Sequence, residues 1–327
     1  LRVRPDVLVL NELDADPEGR ALALFQALLA RGTAEVPGLD YPETFQGPQN
    51  VGHFSGLDLD GDGRAAGPGD AWGFGRFPGQ YAMALLSRWP LGSVRSFTDF
   101  PWAALPGARR PLYPDGTPFH PEAVWQRLRL SSKSHWIAPV HLPGADEPLH
   151  LIAAHPTPPV FDGPEDRNGR RNADEIRLIR AILDDAPWLI DDAGGRGGLA
   201  RDALTAVAGD LNADPHDGDG HRDEINALLS HPRLIDPAPE SPGAAEISER
   251  TPKQGPRARH TADWPDGPAK PGNLRVDYLL PGRSFEVLGA GVFWPARTDP
   301  LAHLVAMRPR PVSSDHRLVW ADVRLRR

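Results

Sequence analysis

The chain of 327 residues contains no cysteine. Disulfides, thiolate zinc sites and a cysteine nucleophile are therefore excluded. The compartment stays open, since exported and cytosolic proteins can both lack cysteine. An excess of positive charge is missing too: 36 Lys and Arg stand against 44 Asp and Glu, a formal charge of −8. Non-specific binding to nucleic acid draws on clustered cations, so this balance disfavours it, while leaving room for a nuclease with a local basic groove. No apolar run approaches the length needed to span a bilayer. No internal repeat is visible, and no linker divides the chain into two cores. A signal peptide is also absent, and the chain opens on Leu1 rather than Met, so an N-terminal piece is expected to be missing.

What is abundant is proline, 37 residues, and glycine, 33 residues. They fall between well-patterned apolar runs, as in a loop-rich folded protein. Strands are expected at Val7 to Leu10, Met83 to Leu86, Leu204 to Ala208, Val276 to Leu280, Phe285 to Ala290 and Leu318 to Val323. Ile137 to His141 and His150 to Ala154 suggest a hairpin around Pro143-Gly144. Helical spacing runs from Arg20 to Arg31, with Leu22, Leu24, Phe25, Leu28 and Leu29 as its apolar face, from Asn172 to Leu183, and briefly from Glu224 to Leu229. Strands interleaved with helices point to layers of the α/β or α+β kind.

The most informative stretch is Val207-Ala-Gly-Asp-Leu-Asn-Ala-Asp214. An apolar strand ends at Gly209 and presents Asp210 and Asn212, two residues apart and so expected on one side. An acid able to take a proton or hold a metal thus stands beside an amide able to orient a phosphate oxygen. Matching polar groups follow other strands: Asn11-Glu12, His155, Asp277 and Asp315-His316. Taken singly, each reads equally well as a turn former or helix cap; their order along one chain is what gives them weight.

Two further signals stand apart. Asp58-Leu-Asp-Gly-Asp-Gly-Arg64 matches the opening of an EF-hand-type calcium loop, with oxygen ligands at alternate positions and glycine at the sixth. Gly69 occupies the twelfth position, where glutamate is usual, and Asp70 follows. Asp58, Asp60, Asp62 and Asp70 are therefore candidates for a structural Ca²⁺ loop, against the plain alternative of a solvated turn. Arg167, Arg170 and Arg171 follow His155 and are candidate phosphate clamps, against the alternative of a charged approach to the helix at 172. Lys133 and His135 lie just before a strand, within possible reach of the same cleft. Trp72, Trp102, Trp125, Trp188 and Trp264 either pack loops or rim a substrate site.

The motifs resemble the endonuclease/exonuclease/phosphatase superfamily. Pro5 to Glu12, Gly209-Asp-Leu-Asn-Ala213, Arg275-Val-Asp-Tyr278 and Ser314-Asp-His316 carry the likeness, in the family's order and over nearly the whole chain. The resemblance implies a four-layer α-β-β-α sandwich, two packed mixed β-sheets flanked by helices, as one domain over residues 1–327. It makes Glu12 and Asp315 ligands of a catalytic Mg²⁺ or Mn²⁺, which all-oxygen donors suit. His155, Asp210, Asn212, Asp277 and His316 become the catalytic set, with Asp277 orienting His316 as general base. One departure is clear. The family opens with a strand ending in asparagine well before the glutamate, whereas here Asn11 adjoins Glu12, so the first strand is expected to be missing.

The function implied is divalent-metal-dependent hydrolysis of a phosphoester, in nucleic acid, a phospholipid or a small phosphate ester. The competing reading is a non-catalytic binding module that retains the fold. The segments 155–163 and 79–83 suggest a bacterial, exported subgroup, secreted or periplasmic, and a monomer is expected.

Overall fold

The computed structural model describes residues 1–267, 270–307 and 310–326. The strands and helices used below are, in chain order, β1 (Val7–Leu10), α1 (Arg20–Arg31), β2 (Glu43–Phe45), β3 (Ala84–Ser87), β4 (Arg95–Ser96), α2 (Glu122–Trp125), β5 (His135–Val140), β6 (Leu149–Ala154), α3 (Arg167–Leu183), β7 (Thr205–Asp210), α4 (Arg222–Leu229), α5 (Pro242–Ala245), β8 (Asp266–Gly267), β9 (Lys270–Pro271), β10 (Asp277–Pro281), β11 (Phe285–Val292) and β12 (Val319–Leu325).

Strand alternation assigns the layers. In β1, Leu8 and Leu10 pack with Leu22, Phe25 and Leu29 of α1, while Val7 and Val9 face the other way, onto Ala138, Leu151, Ala206 and Ala208. The first sheet, ordered β1-β3-β2, therefore lies between α1 and a second sheet, ordered β10-β7-β6-β5-β4. On the far face of that second sheet, Ile137, Ile152, Val207, Tyr278 and Leu280 join the largest core cluster with Ile176, Ile179 and Ile182 of α3 and Ile225 and Leu228 of α4. The result is a four-layer α-β-β-α sandwich. The second sheet is mixed, since β6 and β7 run parallel and its other neighbours antiparallel. Both pairings in the first sheet are antiparallel.

Helix α1 spans the residues its periodicity implied, but its buried stripe is narrower. Leu22, Phe25 and Leu29 face inward, whereas Leu24 and Leu28 are exposed. One sheet face offers a single stripe of contact, so the fifth-residue positions are left outside. Helix α3 begins five residues earlier than its apolar pattern, at Arg167, because its first turn carries only polar groups.

Among the described residues, strands β11 and β12 pair only with each other. Across a groove of about 730 Å³, β12 faces β1, which is paired only to β3 among the described residues. The groove floor is apolar, made by Leu151, Ala206, Ala208 and Leu279, and its polar end is formed by Asn11, Glu12, Asp210, Asp277 and His316.

Candidate active site

Asp210 closes β7 and Asp277 opens β10, and the two are direct partners in the antiparallel ladder. Opposed residues project to the same face, so both carboxylates leave the sheet together. Gly209, just before, has φ 150°, and a Cβ there would stand 1.9 Å from the carbonyl oxygen of Ala154. Only glycine lets β7 run this close to the end of β6.

From Asp210 a chain of polar contacts runs across the end of the sheets. Its Oδ2 lies 3.4 Å from Nε2 of His155 and 3.9 Å from Nδ1 of His316. His316 Nδ1 is 2.9 Å from Asp277 Oδ2, and Thr261 Oγ1 donates to that same oxygen at 2.7 Å. The backbone of His316 is fixed by a bridge to Ala262 and by its N–H donating to Ser314 Oγ at 3.0 Å. Trp264 packs edge-on against the imidazole, ring centres 5.4 Å apart.

Asn212 reaches the site differently from the expectation. The strand ends at Asp210, and Asn212 lies in the left-handed region at φ 50°. Its N–H donates to Asp210 Oδ1 at 2.8 Å, and its Nδ2 donates to the carbonyl of Pro156 at 3.0 Å. A turn, which asparagine tolerates well, replaces strand alternation. Asn212 thereby ties the Asp210 turn to the segment that follows His155.

Charge is distributed unevenly among these groups. Burial pulls the His316 imidazolium down, but the carboxylates of Asp277 and Asp210 outweigh it and hold its pKa at about 10. Burial alone would raise Asp210, yet His316 and His155 bring it below the ordinary carboxylate value. Asp277 is raised, by burial and by the nearby charge of Asp210, against the pull of His316. His155 is lowered, first by burial and then by Lys133. Lys133 is itself buried and lowered for that reason, against the attraction of Glu175, Glu12 and Asp210.

Glu12 follows β1 on the surface, at the strained value φ 60° for a residue with a side chain. It lines the groove end with Asn11, whose Oδ1 is buried without a hydrogen-bond partner. Among the described residues, Asp210, Asp277 and His316 offer ligand atoms within 4.8 Å of one another, and Glu12 stands outside that cluster. Carboxylate and amide oxygens with one imidazole form a donor set that suits Mg²⁺ or Mn²⁺.

Other candidates are placed elsewhere. Asp315 is exposed, accepts the Trp264 indole N–H at 3.1 Å, and does not line the groove. Its neighbour His316 turns toward Asp277, while Asp315 braces Trp264. The three arginines lie in the first turns of α3 and are committed locally. Arg167 pairs with Glu165, Arg170 with Asp166, and Arg171 donates to the carbonyls of Trp72, Arg129, Leu130 and Ser131. These contacts hold the start of α3 to its surroundings. His135 binds Ser131 Oγ and the Glu175 carbonyl, away from the cleft. Trp102 and Trp125 are core residues with Trp72 and Trp188 against them, so of these five candidates Trp264 is the one at the site.

Supports that the sequence did not disclose come from α3. Asn172 Nδ2 donates to the carbonyls of Thr157 and Leu211, at 2.8 and 2.9 Å, bridging the two loops that carry His155 and Asn212. Glu175 accepts the N–H groups of Ser132 and Thr157 at 2.7 and 2.6 Å. No local pattern marks these residues or Thr261, because their partners lie far off in sequence. Asn172→Ala leaves two buried carbonyls unpaired and is expected to cost about 1–3 kcal/mol in chemical denaturation. A loss below about 0.5 kcal/mol would show that the bridge does not hold the loops.

Residues 1–316 match the model of the Endonuclease/Exonuclease/phosphatase family, and the chain belongs to that family. No curated protein sequence is significantly similar to it. Among solved structures, an endonuclease/exonuclease/phosphatase from Beutenbergia cavernae DSM 12333 is 20% identical with a TM-score of 0.54, over 98% of this chain and 63% of that one. This chain thus spans less than two thirds of that relative's length. An endonuclease/exonuclease/phosphatase family protein from Leptotrichia buccalis is 14% identical, with a TM-score of 0.47, over 99% of this chain and 89% of that one. Sphingomyelinase C from Streptomyces griseocarneus is 16% identical, with a TM-score of 0.43, over 97% and 82%. No helix among the described residues is long and apolar enough to cross a membrane.

Proposed function

We propose that the protein is a Mg²⁺- or Mn²⁺-dependent phosphoesterase that activates water at the Asp210–His316–Asp277 cluster. One observation carries this reading: Asp210 Oδ2 stands between two imidazoles, 3.4 Å from His155 and 3.9 Å from His316, and His316 is held by Asp277 at 2.9 Å. Asp277, fixed by Thr261, sets the orientation of the His316 ring and stabilises its charged form. The opposite ring nitrogen, Nε2, is then the atom available to take a proton from water. Asp210 holds His155 in place, and the Asn212 turn keeps the Asp210 carboxylate aimed at both rings. Glu12, with Asn11 beside it, would hold the cation together with the Asp210 side of the cluster. The bound cation supplies charge neutralisation at the phosphoryl group.

A panel of nucleic-acid, phospholipid and small phosphate-ester substrates, assayed with Mg²⁺, Mn²⁺, Ca²⁺ and chelator, tests the reading. Hydrolysis of at least one substrate, lost on chelation and restored by Mg²⁺ or Mn²⁺, is expected. Glu12→Gln should raise the cation concentration needed and lower turnover by about 10- to 100-fold, the scale seen when metal-site groups are altered. Unchanged metal dependence in that variant removes Glu12 from the site.

The single-domain organisation belongs to the same proposal, with a further strand seated in the groove between β1 and β12. The two one-sided edges that face that groove support it. A longer form of the chain whose added segment left the groove open would overturn it.

A further inference from the structure

The aspartate-rich loop at 58–70 is not used by the proposed chemistry. The structure brings carboxylate oxygens of Asp58, Asp60 and Asp70 within 4.8 Å of one another. Among the described residues, no Lys or Arg forms an ion pair with any of the three. Asp58 and Asp60 are half-buried, but Asp70 is fully buried at 0% exposure. Its Oδ1 accepts the Leu59 N–H at 2.8 Å, whereas its Oδ2 has no hydrogen-bond partner. A buried carboxylate oxygen with neither a donor nor a cation beside it is costly, and two more carboxylates nearby add repulsion. A cation bound among the three removes both penalties.

We propose that Asp58, Asp60 and Asp70 form a structural calcium site, separate from the catalytic cluster. The donors are all oxygen, with no histidine in the group, which selects a hard cation. Several carboxylates on one irregular loop suit the flexible, many-oxygen shell of Ca²⁺ better than the compact hydrated shell of Mg²⁺. Asp62, expected as a fourth ligand, is exposed and turned onto the N–H of Arg64 at 2.8 Å, so it stands outside the cluster.

The position gives the ion a mechanical role. Between Asp58 and Asp60, Leu59 is sunk in the main core, and its carbonyl meets His120 Nε2 at 3.0 Å. Beyond Asp70, the N–H of Gly73 donates to the carbonyl of Asn50, and the N–H of Asn50 donates to the carbonyl of Lys133. Lys133 is the buried cation near Glu12 and Asp210. An ion clamping both ends of the loop would fix the segment on which Lys133 rests.

Thermal unfolding of the full chain with CaCl₂ alone is the test, comparing wild type, Asp58→Asn/Asp60→Asn and Asp210→Asn. Calcium about 100-fold above its Kd should raise Tm by roughly 4 °C in wild type, by mass action. Asp210→Asn, altered only at the catalytic cluster, should keep that rise, and the loop double variant should lose it. An equal rise in the loop variant, or its loss in Asp210→Asn, overturns the proposal. Terbium luminescence sensitised by Trp72 provides a second readout, and Asp60→Asn alone replaces the double variant if the latter fails to fold. Emission displaced by calcium in wild type and absent in the loop variant is expected, and undiminished emission in the loop variant overturns the site.

Discussion

Replacing Asp210 by Asn is expected to lower turnover by about 10²–10⁴-fold, the range for loss of a positioned acid–base group. The substitution keeps shape and hydrogen-bond capacity. An amide oxygen can still accept the Asn212 N–H that Asp210 Oδ1 accepts at 2.8 Å, so the turn after β7 should survive. What is lost is the negative charge that faces His155 at 3.4 Å and His316 at 3.9 Å. Both imidazoles lose an electrostatic partner, and on the proposed reading a bound cation would lose an oxygen ligand. Circular dichroism should be unchanged while the rate on any substrate found in the panel collapses. Turnover within tenfold of wild type would show that the chemistry is centred elsewhere, and the reading built on Asp210 would fall with it.

How the site could be read in advance differs from residue to residue. Asp210 and Asp277 were legible because each sits at the end of an apolar run, and strand ends of packed sheets converge by construction. His316 was legible from its place next to Asp315, but which of the two turns inward was not. That choice is set by the bridge from Ala262 to His316 and by the Trp264 indole, which captures Asp315. For the arginines after His155, sequence shows charge but not the partners that hold it. Arg171 spends its guanidinium on carbonyls of three loop residues and Trp72, a use no local pattern reveals. The same limit hid Asn172, Glu175 and Thr261, whose value lies wholly in distant partners. The layers were legible for a simpler reason. Alternation in β1 and β7 and the spacing of Ile176 and Ile179 each fix which way a side chain faces, and burial follows from that. The EF-hand-like opening at 58–63 anticipated Asp58 and Asp60, but not the turning of Asp62 away from the cluster.

His316 is expected to titrate near pH 10 in the metal-free protein, not in the ordinary histidine range. Burial opposes the charged ring, but Asp277 at 2.9 Å and the charge of Asp210 dominate. The sign of the linked stability follows. A ring whose pKa is about 10 when folded and about 6.5 when unfolded contributes stability that is complete below about pH 6.5. That contribution is lost as pH rises through 10. A base must be neutral to act, so without a cation the rising limb of any rate profile would lie far into the alkaline range. Positive charge placed against Asp210 and Asp277 withdraws the field that retains the proton, so Mg²⁺ should move the midpoint downward. Nuclear magnetic resonance of the imidazole, with and without Mg²⁺, reads this directly. Asp277→Asn should also bring the midpoint down, while costing less turnover than His316→Ala, since it misorients the base without deleting it. His316→Ala should lose about 10²–10⁴-fold. A wild-type midpoint near 6.5 in the absence of metal would mean that the pair does not hold the charge described here. Near-normal turnover in His316→Ala would move the proton to Asp210, the remaining carboxylate between the rings.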